Sequence, residues 1–519
     1  MEKRQIVNIV NFIRGVESRN SKDLIKPLVE QIALLKKHGL KGTFLVQYDA
    51  LINSRFTDIL KQLPSNQFEL GIWYEIVEPQ VQSVGLKWRG RFPWDWHTDC
   101  GFSVGYTKSE REALASECYD QFKKVFGYYP KVFGSWFLDT HTVRFIEEKY
   151  GLDGICICKD QYGTDGYTLW GGYYGQGYYP SLNNLYIPAS SKESGINVPV
   201  FRMLGADPVY QYDFELDKDR TEIEGQNVIT LEPACYVYGG GSDEKWVDWF
   251  LKENFNGDCL SFGYAQAGQE NSFGWDGVEK GICYQYTLFE KLQNEGKLSV
   301  ETLGESGRWY KSNYDITPSS AIVARTAFDD VNKNSVWYSS RFYRINLYSD
   351  NGSFRIRDLH MYSDEYKDPF EDTVCKQNQA TYDALPVIEG NLSSGNGLIA
   401  GAYIVNENGS VLNTDIFTFT DADNGTARVD YGEFTVTLYE SSVSVKAKTD
   451  FQIENKIGLY LAHLPKVLSV DRNTLLLSHN GTEYRLVLEK GLFIDANTIH
   501  SDNCEIKIVL RSDQIPAQI

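Results

Sequence analysis

Residues 69–79 read ELGIWYEIVEP, an apolar run that ends in Trp73, Tyr74 and Glu75. A carboxylate set beside two flat aromatic faces suits one wall of a sugar subsite: the rings cover the apolar side of a pyranose and the acid takes its hydroxyls. The same combination recurs along the chain. Glu270 and Gln269 lie in GYAQAGQENSFGWDG with Trp275, a Gly-rich loop dense in amides. Glu232 follows VITL and is a further candidate for acid–base work. The stretch KWRGRFPWDWHTDCG (87–101) carries Trp94, Trp96, His97 and Asp99 and reads as a lid over a cleft. Its arginines either read a carboxylate on an acidic sugar or pair with Asp95 and Asp99. Asp160 and Trp170 lie in a second Tyr/Gly-rich loop, and Asp207 in GADPVYQYD. Ordinary structural roles compete with each assignment: turn formation for Glu270 and Asp207, and ion pairing with Arg14 for Glu17 and Glu75.

These residues need a scaffold that brings strand ends together. Residues 6–12, 43–48, 68–74, 131–137, 153–158, 198–204, 227–233 and 259–265 are strand-like, and helical periodicity marks 22–38, 54–63, 108–126, 140–150, 243–254 and 277–295. Gly39 supplies a helix stop, and Ser109 with Glu112 a capping box. Strand–helix alternation repeated about seven times implies a parallel sheet curling into a barrel, with chemistry at the strands' C-terminal ends. Beyond about residue 315 helical periodicity gives way to short alternating runs separated by Asn351-Gly352, Asn424-Gly425 and Asn480-Gly481, the signature of antiparallel hairpins. The expected architecture is α/β: an incomplete (β/α)7 barrel over 1–312, followed by a C-terminal antiparallel β-sandwich over 313–519.

Composition narrows the function. A net charge of −19 disfavours nucleic acid and anionic membranes as partners. Ten of the eleven tryptophans precede residue 310, more confined than core packing alone requires. The nine cysteines are scattered, with Cys156 and Cys158 in a C-x-C unlike zinc or redox spacing, and are read as buried thiols. The N-terminus shows no signal-peptide pattern, so the chain as numbered is expected in the cytoplasm, or outside it if a leader was removed. No phosphate loop or G-x-S-x-G elbow is present. The oligomeric state is not legible.

HGLKGTFLV (38–46) and FELGIWYEIV (68–77) resemble motifs of the polysaccharide deacetylase superfamily, whose barrel is shared with glycoside hydrolase families 38 and 57. Deacetylases of that superfamily hold a divalent metal through Asp-Asp-Gly after strand one and His-x-x-x-His after strand three. Here the first slot reads Phe12-Ile13-Arg14-Gly15, and Trp73 and Val77 take the histidine positions, so no metal and no other cofactor is expected. The family 57 hydrolases are similar at Gly-Ser-Trp-Phe-Leu-Asp (134–139) and, loosely, at 270–275. The resemblance implies Asp139 in the nucleophile's place beside Trp136, with helix N-capping as the alternative role of this aspartate. It implies a metal-independent glycoside hydrolase with a carbohydrate substrate and a catalytic pair drawn from Asp139, Glu270 and Glu232. The alternatives are a deacetylase-like carbohydrate esterase with an unconventional metal site, a non-catalytic carbohydrate-binding protein and, more remotely, a polysaccharide lyase.

Overall fold

The structure is a computed structural model and describes residues 3–210, 218–222, 229–234, 239–255, 258–412, 414, 416–459 and 463–511. Seven strands form the barrel: β1 (Gln5–Ile13), β2 (Gly42–Val46), β3 (Phe68–Trp73), β4 (Val132–Gly134), β5 (Gly154–Ile157), β6 (Val200–Arg202) and β7 (Gly263–Ala267). They run parallel in the order β7-β1-β2-β3-β4-β5-β6, a nearly closed ring. The strands are almost continuously buried, as a sheet covered on both faces requires. Gly71 lets β3 and β4 approach closely, since a Cβ there would lie 2.5 Å from the Val132 carbonyl oxygen.

Around the ring pack α1 (Ile25–His38), α2 (Lys108–Phe126), α3 (Thr140–Tyr150), α4 (Glu244–Phe255), α5 (Trp275–Asn294) and α6 (Leu303–Asn313). Gly39 ends α1 at φ 61°, its N–H returning to the Leu35 and Lys36 carbonyls. The capping box of α2 differs from the expected one. It is Thr107 with Glu110, because the chain leaves its extended conformation two residues earlier than Ser109. The expected strand 259–265 is split. Cys259–Leu260 pairs with Ser320–Ala324 of the C-terminal region, Ser261 turns the chain at φ 57°, and β7 begins at Gly263. The expected strand at 227–233 is irregular over 229–233, with a single bridge from Thr230 to Ala206; residues 227 and 228 lie outside the described residues.

The C-terminal region is a sandwich of two largely antiparallel sheets. Val336, Ile345, Leu347 and Phe354 from one sheet pack on Val436, Leu438, Val445 and Ile508 from the other. Asn351 and Asn480 adopt left-handed φ of 49° and 48°, each followed by a positive-φ glycine, as two-residue hairpin turns demand, while Asn424 at φ 50° lies between Asp423 at φ 67° and Gly425 in a three-residue turn closed by Ala422 and Thr426. The barrel and sandwich join through buried charge. Asp160 receives Arg202 at 2.7 Å and also Arg344 of the sandwich, which in turn grips Asp358 at 2.9 and 2.8 Å. All eight described cysteines are free thiols. No described helix is long and apolar enough to cross a membrane.

Candidate active site

The C-terminal ends of β1, β3 and β7 converge on one buried arginine. Arg14 directly follows β1 and is 1% exposed. Its Nε and Nη2 donate to the two oxygens of Glu75 at 3.1 and 3.0 Å, a fork-to-fork pairing. Its Nη1 donates to Glu17 at 3.3 Å and lies 3.2 Å from Glu270 Oε2. The Trp94 ring lies 4.0 Å from the guanidinium carbon, covering its remaining face. Burial would favour the neutral form of Arg14, but the charges of Glu270, Glu75 and Glu17 more than offset it and keep the arginine protonated.

Neighbouring strand ends hold the acids in place. Glu75 also accepts from Trp73 Nε1 at 2.8 Å and from Gln47, which directly follows β2, at 3.0 Å. Burial lifts the Glu75 pKa above the usual carboxyl value despite Arg14. For Glu17, burial acts upward too, but hydrogen bonds from Arg19 and the charge of Arg14 outweigh it and hold the carboxyl low. The β7 loop is tied to β1 by Asn271, whose side chain accepts from the Arg14 N–H and donates to the Arg14 carbonyl, both at 2.9 Å. Gly268 allows this at φ 113°, because a Cβ there would sit 2.0 Å from the Val10 carbonyl oxygen. Glu270 is thereby fixed beside the guanidinium, and Ser272 Oγ donates to its Oε1 at 2.7 Å. Among the described residues nothing donates a well-aligned hydrogen bond to Glu270 Oε2.

Glu232 reaches the same cluster from the chain between β6 and β7. Gln269 Nε2 donates to it at 2.7 Å, while the Gln269 N–H donates to Asn11 of β1 at 3.2 Å and its Oε1 accepts from the Ala234 N–H at 3.0 Å. Burial and then the charge of Glu270 lift the Glu232 carboxyl from its usual 4.5 to about 7, against opposing pulls from Lys159 and Arg14. Asp49 is buried below the β1 end and accepts from the Gly15 N–H at 3.0 Å; burial lifts it to about 6.

The structure therefore brings together Arg14, Glu17, Trp73, Glu75, Trp94, Glu232, Gln269 and Glu270. Trp73 itself is fully buried, stacked on Phe12 at 4.1 Å and edged by Trp136 at 5.2 Å, so its ring packs against protein and its N–H serves Glu75. Trp96 is half-buried above Trp94, flanked by Phe92, Arg91 and Arg19. His97 and Asp99 are half-buried on a short helical turn of the same loop. Trp275 opens α5, 7% exposed.

Other candidates are committed elsewhere. Asp139 is fully buried; it caps α3 through the Thr142 N–H at 2.9 Å, accepts from the Thr142 and Ser103 hydroxyls, and pairs with buried Arg111 at 3.0 Å. Asp160 belongs to the barrel–sandwich ion cluster. Trp170, 2% exposed, donates its N–H to Glu389 of the sandwich. Asp207 builds a turn, accepting from the Val209 and Tyr210 N–H groups at 2.8 and 2.7 Å and from Trp246 at 2.8 Å. Sequence reasoning passed over Gln47, Asn271 and Lys159. Gln47 was marked by its place immediately after a strand, and Asn271 by its adjacency to Glu270.

No family model matches the chain, and no curated relative matches it. Among solved structures it is similar to a candidate glycoside hydrolase/deacetylase from Parabacteroides distasonis, with 16% identity and a TM-score of 0.54 over 75% of this chain and 92% of that one. It is more distantly similar to a candidate polysaccharide deacetylase from Mycobacterium smegmatis (12% identity, TM-score 0.36, 60% and 92% covered). A family 57 branching enzyme from Thermococcus kodakaraensis matches at 12% identity and TM-score 0.31, with 60% and 72% covered. The likeness is one of fold.

A divalent metal, as deacetylases of this fold carry, does not fit the strand-one and strand-three slots. The carboxylates available there already converge on a fixed guanidinium, whose charge would repel the ion. Asp358, His360 and Glu389 form one described group with metal-ligand spacing. It lies at the barrel–sandwich junction, where Arg344 grips Asp358 and the Trp170 indole donates to Glu389.

Proposed function

We propose that the protein is a carbohydrate-active enzyme, and more finely a glycoside hydrolase working with two carboxyl groups and no metal. The observation that carries this reading is the contrast between Glu232 and Glu270. Two interacting acids share one strand-end site; one is lifted to about 7 and the other is set against a permanently charged arginine. These surroundings suit two roles: Glu232, lifted to about 7, can hold a proton near neutral pH and pass it to the leaving oxygen, while Glu270, held beside Arg14, attacks the anomeric carbon or activates water. Glu270 Oε2, 3.2 Å from Arg14 Nη1 and without a well-aligned hydrogen bond among the described residues, is the acceptor that either step needs. Arg14 and Gln269 are positioning residues, the first fixing Glu270 and Glu75, the second linking the chain before Glu270 to Glu232. Asp139, with its oxygens spent on a cap and an ion pair, is better suited to holding α3 than to catalysis.

The test compares glycosides with good and poor leaving groups. A missing general acid slows the poor leaving group far more, so Glu232→Gln should cost about 10²–10⁴ in turnover on alkyl glycosides and much less on nitrophenyl glycosides. Glu270→Gln should abolish both. Equal losses on both substrate types in Glu232→Gln would remove Glu232 from the acid role. Full activity in Glu270→Gln would end the two-carboxylate mechanism.

A further inference from the structure

The cationic side chains around the barrel mouth are already engaged. Arg14 is gripped by three carboxylates. Arg19 lies against Glu17 at 3.1 Å and Asp165 at 3.4 Å. In the loop after β3, Arg91 chelates Asp95 at 2.8 and 2.7 Å, and Arg89 donates to the Asp99 and Gly105 carbonyls at 2.7 and 2.5 Å. Between β6 and β7, Arg220 is turned to the Ser394 and Asn391 carbonyls. Buried Lys159 lies within the fields of Glu232 and Asp207. Segments 211–217, 223–228 and 235–238 lie outside the described residues, but they hold no Lys or Arg and include Asp213, Glu215, Asp217 and Glu224. What remains is exposed: Lys87 and Lys218, and Lys22, whose Nζ donates to the Phe273 carbonyl at 2.5 Å.

Recognition of a sugar carboxylate, sulfate or phosphate needs a cation that is free to pair, best a forked one. Here each mouth arginine would first have to release an acid or a carbonyl. The anion would also enter beside Glu17, Glu75 and Glu270, where like charges repel in a poorly solvated site. Phe92, 41% exposed and stacked on Trp96 at 6.0 Å, offers instead an aromatic platform that suits an uncharged ring. We infer that the site takes a neutral glycan and rejects uronic acids and sulfated or phosphorylated sugars. This rests on reading the mouth as a sugar site.

The experiment is retention of the full-length protein, wild type and Glu232→Gln, on immobilised oligosaccharides in matched pairs. Each pair shares its linkage and differs only in carrying a hexose or the corresponding hexuronic acid. Retention of the neutral member should exceed that of the acidic one by about tenfold or more, a free-energy gap of about 1.4 kcal/mol. Glu17→Gln, which loosens Arg19, should narrow the gap by improving retention of the acid. Equal or better retention of the hexuronic member by wild type overturns the inference, whether or not the glycan is cleaved. Neutral retention without cleavage by wild type keeps the inference and refutes hydrolysis. No retention of either member overturns both.

Discussion

Replacing Glu232 by Gln should make the protein more stable and less active, and the stability gain should depend on pH. A carboxyl lifted from 4.5 to about 7 resists ionisation by about 2–3 kcal/mol, allowing for partial solvent access at this half-buried side chain. In the unfolded chain Glu232 loses its proton near its usual value; in the folded protein it does so near 7. Below both values the proton is bound in either state and nothing is lost. Between them only the folded state holds it, so stability falls as pH rises, and above the folded value the whole penalty is present. Glutamine keeps the hydrogen-bonding shape and removes the penalty. Thermal unfolding midpoints of wild type and variant should therefore coincide near about pH 4, diverge in favour of the variant through about pH 5–7, and stay apart above that window. A pH-independent difference, or a variant destabilised at about pH 8, would show that folding does not raise the value at which Glu232 loses its proton. The acid assignment would then fall with it.

Arg14→Met leaves Glu17, Glu75 and Glu270 buried without their shared cation. A loss of about 3–5 kcal/mol is expected in chemical denaturation, partly restored by adding Glu75→Gln. Asp139→Asn removes the ion pair to Arg111 and weakens the α3 cap. It should cost about 2–4 kcal/mol of stability, read by the same denaturation, with KM unchanged; a fully stable variant with no turnover would return Asp139 to the catalytic pair. Trp96→Ala should raise KM about tenfold with kcat held, as measured by steady-state kinetics, because an aromatic platform binds ground and transition states alike.

Much of the site was legible because the rule that finds it is topological. Once strand–helix alternation is recognised, the residues just after each strand are the candidates, and Arg14, Glu75 and Glu270 all occupy such places. Aspartates defeated the same rule. Asp139 and Asp207 also follow strands, but a short carboxylate at a strand end can equally cap a helix or build a turn, and only the partners decide. Asp160 could not be resolved at all without coordinates, since its partner Arg344 lies 184 residues away in the other layer of the molecule. The loop 87–101 was half read. Its density of tryptophan and charge pointed to the mouth, but that Trp94 would lie flat on Arg14 required knowing that β1 and β3 are separated only by β2.

The charge balance at the mouth links stability to chemistry. Glu17, Glu75 and Glu270 gather on Arg14, and Arg19 lies between Glu17 and Asp165. Ionising Glu232 would set a further negative charge beside Glu270 in a poorly solvated site, which is why this carboxyl is lifted above its usual value despite Lys159 and Arg14. The same balance explains why a guanidinium can take the centre of the site. It is permanently charged, it satisfies Glu75 through two parallel hydrogen bonds, and it leaves Nη1 to orient Glu17 and Glu270. An ammonium would offer one point of attachment and could shed its proton when buried. The fork therefore fixes the position of Glu270, while burial and the charge of Glu270 hold the proton on Glu232 against the pull of Arg14.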